Sequence, residues 1–288
     1  MNSRRLLPAL LASSILGAVA VAPAQAADDT TLTPAPDGVN IAAGGGYAVW
    51  SMPDEDTGWK LVVRAPDGTV NTPNVRGMPG PADVAIGSTG GSKDRLTAVY
   101  ARPRGASTDL YALDLAGGKE HRVAVSSRSY DELAPSLYNG RLAFVRRGGK
   151  RDGVYLWSGF GASQRLSSAS AVETALSRRQ VAYATSRRVV LRRVAGSHKT
   201  DAIFTPTNRP RSLQLDDVRV GWLGSGGQIF GSSRLKATRS SKSLPVRKAT
   251  PRPAPQTQSF AFGSGTLGDL VLDRFKITSL GSDLTFGG

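Results

Sequence analysis

The sequence predicts an all-β fold, a β-propeller of six blades with five or seven as alternatives, behind an N-terminal signal peptide. Three observations carry this expectation. After residue 27 apolar spacing at i, i+3, i+4 is nearly absent, and short β-rich runs alternate with Gly, Pro, Asp, Asn and Ser clusters. The runs come in pairs, and the pairs recur about every 42 residues. A repeat of that length holding several strands is the size of a propeller blade.

Taken in order, residues 1–26 come first. Arg4-Arg5, an apolar stretch from Leu6 to Ala22 and Ala24-Gln25-Ala26 form the basic, apolar and small-x-small pattern of a signal peptide, cleaved near Ala26. The apolar run is 17 residues, short for a membrane span, and no later segment is long enough to cross a bilayer. The absence of Cys excludes a lipoprotein anchor. Ser3-Arg4-Arg5-Leu6-Leu7 resembles a twin-arginine signal, although Pro8 departs from it and an ordinary secretory signal explains the same arginines.

Residues 27–288 read as one propeller domain. The paired runs are Tyr47 to Trp50 with Lys60 to Arg64, Leu96 to Tyr100 with Asp109 to Asp114, Arg141 to Val145 with Gly153 to Trp157, and Gln180 to Ala184 with Val189 to Arg192. Fainter copies follow at Val218 to Leu223 with Gln228 to Phe230, and near Leu270 to Leu272. A single four-stranded blade cannot cover its two apolar faces, and stacking blades in a ring covers both. Tyr111, Phe144, Trp157 and Tyr183 are therefore expected between blades. Arg234 to Pro255, with seven basic residues, four prolines and no acid, reads as a basic Pro-rich loop.

Asp131-Glu132-Leu133-Ala134-Pro135 through Asn139-Gly140-Arg141-Leu142-Ala143-Phe144-Val145 resembles the TolB-type, WD40-like propeller repeat, and Asp109 to Gly118 resembles its next strand and turn. Asn139-Gly140 stands where that repeat has its hairpin Asp-Gly. Arg178-Arg179 replaces this turn in the fourth copy. The resemblance is good over roughly residues 82–166 and weak in the last copies. It implies an extracytoplasmic propeller used as a binding platform, and no reaction.

Charge is unevenly placed. Residues 27–118 hold 7 basic and 11 acidic side chains, whereas residues 119–252 hold 26 basic and 8 acidic ones. Arg146, Arg147, Lys150, Arg151, Arg187, Arg188, Arg192 and Arg193 are the candidate binding residues, expected to gather in one basic sector that steers acidic partners. The bland alternative is that these arginines only solvate strand edges. Expected partners are a protein or an anionic envelope polymer, with peripheral contact to an anionic membrane surface as a further option. Nucleic acid is disfavoured by export and by the lack of interleaved aromatic and basic residues.

Chemistry leaves few traces. With no Cys and two histidines, His121 and His198, there is no thiol nucleophile, no Cys-ligated metal and little material for a triad. Gly-x-Ser-x-Gly and the phosphate-binding loop are missing. Asp54-Glu55-Asp56 reads as an acidic turn, not a calcium loop, and Asp216-Asp217 would point to opposite faces of a strand. No catalytic residue, metal ligand or cofactor is expected. The leading expectation is an exported non-enzymatic binding scaffold of the periplasm, cell-wall space or exterior. The alternative is a propeller-type glycan hydrolase or lyase, which requires carboxylates converging in the central channel.

Overall fold

The computed structural model describes residues 40–89, 95–159, 161–206, 209–215 and 220–223, together with the backbone of six later strands. The signal peptide and Asp216-Asp217 lie outside the described residues. Those residues hold strands, turns and one short 3-10 turn at Gly149–Arg151, and no α-helix.

Four consecutive four-stranded units run in chain order. Sheet I is β1 (Ala42–Gly44), β2 (Tyr47–Asp54), β3 (Gly58–Arg64) and β4 (Val70–Asn71). Sheet II is β5 (Val84–Ser88), β6 (Leu96–Arg104), β7 (Ser107–Asp114) and β8 (Glu120–Arg122). Sheet III is β9 (Asp131–Tyr138), β10 (Arg141–Arg147), β11 (Gly153–Trp157) and β12 (Gln164–Ser167). Sheet IV is β13 (Glu173–Leu176), β14 (Gln180–Ala184), β15 (Val189–Arg193) and β16 (Thr200–Phe204). Each is an antiparallel meander, and every pair of runs foreseen from the sequence is its second and third strand.

Sheet V follows with β17 (Arg211–Leu215), β18 (Val220–Leu223) and β19 (Ile229–Ser232). Two strand fragments fall inside the stretch expected as a basic Pro-rich loop. β20 (Ser243–Leu244) adds to β16 in parallel, and β21 (Arg247–Lys248) adds to β19. The rest of residues 234–255 lies outside the described residues. Sheet VI is β22 (Ser259–Ala261), β23 (Asp269–Asp273) and β24 (Lys276–Leu280).

The first strands of successive sheets touch in order, β1 to β5 to β9 to β13 to β17 to β22, and β22 returns to β1. This propeller-like arrangement buries both faces of a sheet, which is why its strands read as unbroken apolar runs rather than alternating ones. In β2, Ala48 and Trp50 point one way and Val49 the other, where it meets Ala98, Tyr100 and Leu113 of sheet II. The second strand of each of the first five sheets carries one buried aromatic residue near its middle: Trp50, Tyr100, Phe144, Tyr183 and Trp222. From Tyr100 onward each sits against the preceding sheet, as Phe144 does against Val99 and Leu110. Phe144 and Tyr183 thus lie between sheets as expected, while Tyr111 and Trp157 pack at the margin of the same core, half-buried.

The inner strands approach closely. A Cβ on Gly87 would come 2.2 Å from the Leu137 carbonyl oxygen, so no other residue fits without a shift. Asn139 and Gly140 both have positive φ, as a tight hairpin requires, and the Gly140 N–H bonds the Ser88 carbonyl of sheet II at 2.9 Å. The Arg178-Arg179 hairpin closes differently: the Ser177 N–H donates to the Gln180 carbonyl at 2.9 Å, with both arginines exposed at the tip.

Candidate functional site

Strand register divides the ring into two faces. β9 begins with Asp131 and Glu132 opposite Arg147 and Arg146, and β13 begins with Glu173 opposite Ala184, one turn from Arg187 and Arg188. The starts of the inner strands and the turns between second and third strands therefore share a face. Arg192 and Arg193 pair with Val181 and Gln180, at the other end of sheet IV. Six of the eight expected cations share the first face, and two stand apart on the second.

The six are not equivalent. Arg146 is 6% exposed; its Nε donates to Glu132 Oε1 at 3.0 Å, its Nη2 to the Val125 carbonyl, and its guanidinium lies over the Tyr155 and Phe144 rings. Its position inside sheet III removes it from any docking surface, and the alternation of side chains along β10 explains why its neighbour Arg147 faces out. Sheet II repeats the device: Arg102, two residues after Tyr100 as Arg146 is after Phe144, stacks on Tyr111 and pairs with Glu120 at 2.7 Å. Arg147, Lys150, Arg151, Arg187 and Arg188 are exposed. Arg147 reaches the Ala171 carbonyl of the next connection at 3.3 Å, and Arg151 lies over Tyr130. On the second face, Arg192 donates to the His198 and Leu166 carbonyls, and Arg193 pairs with Asp201 at 2.7 Å.

The inner strands enclose a central channel of about 730 Å³. Its lining among the described residues includes Asp83 and Glu173 and no Lys, Arg or His. Both carboxylates stand where their strands begin, at the first face, and both bridge to neighbouring strands. Asp83 accepts the Asn40 amide at 2.8 Å and the Ala134 N–H. Glu173 accepts the Ser212 and Leu213 N–H groups at 3.0 and 3.1 Å. Thr174 closes the belt by donating to the Ala134 carbonyl at 2.6 Å. Ala134 and Ser212 adopt positive φ at register shifts in β9 and β17, a conformation costing roughly 1 kcal/mol that accompanies these N–H bonds to the carboxylates.

The electrostatics follow from this enclosure. Burial, reinforced by the negative charge of Asp83, pushes Glu173 from 4.5 up to about 7 against the pull of the Leu213 N–H. Burial likewise raises Asp83, opposed by Asn40, Ala134 and the positive charge of Arg147. Two buried acids that repel one another can hold a cation or exchange a proton. Neither was singled out from the sequence. The available signal was a triplet, polar, β-branched, Ala, repeated as Asn40-Ile41-Ala42, Asp83-Val84-Ala85 and Glu173-Thr174-Ala175, with spacings of 43 and 90, one and two repeats.

Other candidates remain ordinary surface. Asp54 is held down to about 2 by the Lys60 ammonium and by Thr57, which makes its acidic turn a self-satisfied one. His121 is exposed on β8, and His198 sits at positive φ in the hairpin before β16. Among the described residues no three His, Cys, Asp or Glu side chains form a metal-holding group, and no helix is long and apolar enough to cross a membrane.

No protein-family model matches the chain, and no curated protein matches it in sequence. Solved structures do match. A gluconolactonase from Xanthomonas campestris is similar at 13% identity and a TM-score of 0.55, over 88% of this chain and 89% of that one. TolB from Acinetobacter baumannii is similar at 12% identity and 0.51, over 86% of this chain; the match spans 55% of TolB. Yeast RCC1 (Prp20), solved with Kap60, is similar at 12% identity and 0.50, over 81% and 67%. At such identities the likeness is one of fold, and it runs across proteins with unlike roles.

Proposed function

We propose that the chain is an exported, six-bladed propeller that acts as a binding scaffold, docking an anionic envelope polymer on its first face. One observation carries this reading: Arg147, Lys150, Arg151, Arg187 and Arg188 are exposed together on neighbouring turns of sheets III and IV. A rigid ring holds such turns in fixed relation, and clustered guanidinium groups attract and bidentately bind anions. The ring of inner-strand contacts supports the blade count, and the basic-apolar-small N-terminus supports export. Cosedimentation of residues 27–288 with isolated wall material, across a salt series, tests the reading. Binding should weaken steeply with salt, and changing the five cations to Gln should lower affinity at least about tenfold and flatten the slope. Equal binding by the variant, or binding only to anionic vesicles or an acidic protein, would reject the polymer.

A second reading has its own observation. A glycan hydrolase or lyase needs two acids on one pocket, and Asp83 and Glu173 share the channel. Turnover of a wall glycan that disappears in Glu173→Gln would establish it.

A further inference from the structure

The channel inverts the charge of the protein around it. The chain carries a formal net charge of +15, yet the described channel wall has two carboxylates and no cationic side chain. Asp83 and Glu173 repel one another across this space, and the described groups that bond them, the Asn40 amide and backbone N–H groups, are neutral. Among the described residues, positive charge reaches them from outside the channel lining, Arg147 acting on Asp83 and Arg211 on Glu173. At the first face, therefore, the two acids line the channel while the two arginines stand outside its lining. A purely cationic ligand meets the repulsion of the whole chain on approach, and a purely anionic one meets the two acids inside. A ligand bearing both charges, positive end first, meets neither penalty.

We propose that the channel is a binding site for a small zwitterion, a short peptide with free ends, its ammonium held by Asp83 and Glu173 and its carboxylate by Arg147 and Arg211. The walls suit such a ligand: Ala85 and Ile86 offer small apolar surface, and Tyr138 is the one aromatic residue lining the described channel, which leaves little for a sugar ring to stack on. An ammonium between the two acids supplies the charge that neutral N–H groups cannot, and it favours the ionised form that burial opposes in both. This inference does not rest on the docking of a polymer at the same face.

Calorimetric titration of the full chain with dialanine, N-acetyl-dialanine and dialanine amide tests it at pH 7. Dialanine should bind, its N-acetyl form should bind at least about tenfold more weakly, and the amide several-fold more weakly, since each lacks one of the two charges. Because dialanine is net neutral, its affinity should vary little with salt, unlike polymer docking, so the two ideas fail separately. Asp83→Asn and Glu173→Gln should each lower dialanine affinity about tenfold while keeping cooperative melting. No binding of dialanine, equal binding of either blocked form, or unchanged affinity in both variants would overturn the proposal. The comparison of the three ligands uses the native chain, so it stands even if a variant fails to fold.

Discussion

Glu132 and Glu173 are both pushed to about 7 by burial, yet they belong to two differently built regions. Glu132 lies inside sheet III with its own cation, Arg146, at 3.0 Å, and the arginine lies over the rings of Phe144 and Tyr155. Glu173 faces the channel with neutral N–H partners and a second acid nearby. In the sheet, charge is cancelled locally and the result is packing. In the channel, charge is left over, and leftover charge in an enclosed space is what a ligand can use.

The largest effect should come from breaking the cancelled pair. Arg146→Ala strands the Glu132 carboxylate and empties the space between Tyr130, Phe144 and Tyr155, and should cost about 3–5 kcal/mol in urea unfolding. The loss should be smaller at pH 5.5 than at pH 8, because Glu132 takes a proton below about 7. Adding Glu132→Gln should return part of the stability. A loss under about 1 kcal/mol at pH 8 would make Arg146 a surface residue after all.

Glu173→Gln should act with the opposite sign. Its folded value, about 7, lies above the ordinary 4.5, so the native state prefers the protonated acid. Stability is then fully present below about pH 4.5 and declines as pH rises towards 7, with the loss complete above it. The glutamine variant lacks that decline. Its amide nitrogen cannot accept the second N–H, so it should be less stable than the native chain near pH 4.5, and that difference should shift in its favour by about 2 kcal/mol between about pH 4.5 and 8, less than the full shift implies because water reaches the channel. Parallel pH profiles for the two proteins would show that Glu173 titrates normally.

How far the sequence discloses these regions depends on what each consists of. Strand pairs such as Arg141 to Val145 with Gly153 to Trp157 are local and repeat, so they are readable without a structure. Charge alone marks Arg146 as a binding candidate, and the structure buries it. Its burial depends on Glu132 across the sheet and on Tyr155 in the next strand, a relation of register rather than of composition. The channel pair is harder still. Asp83 and Glu173 are 90 residues apart and meet only because a ring brings the starts of the inner strands together. Arg192 and Arg193, four and five residues from Arg188, end on the opposite face because one strand length separates them.

The smallest expected effect on folding is the one that separates surface from site. Arg187 and Arg188 occupy an exposed turn in which Thr185 Oγ1 accepts both of their N–H groups and Thr185 N–H bonds the Arg188 carbonyl. That turn is held by main chain and by Thr185, not by the guanidinium groups. Arg187→Gln with Arg188→Gln should therefore change stability by less than about 0.5 kcal/mol in urea. Each removed cation also lessens the self-repulsion of a chain at +15, so any small shift should be a gain. If the double variant melts like the native chain and still loses wall binding, the turn serves a partner. If it is destabilised by 1 kcal/mol or more, the arginines serve the fold as Arg146 does, and the contrast between the two regions collapses at that turn.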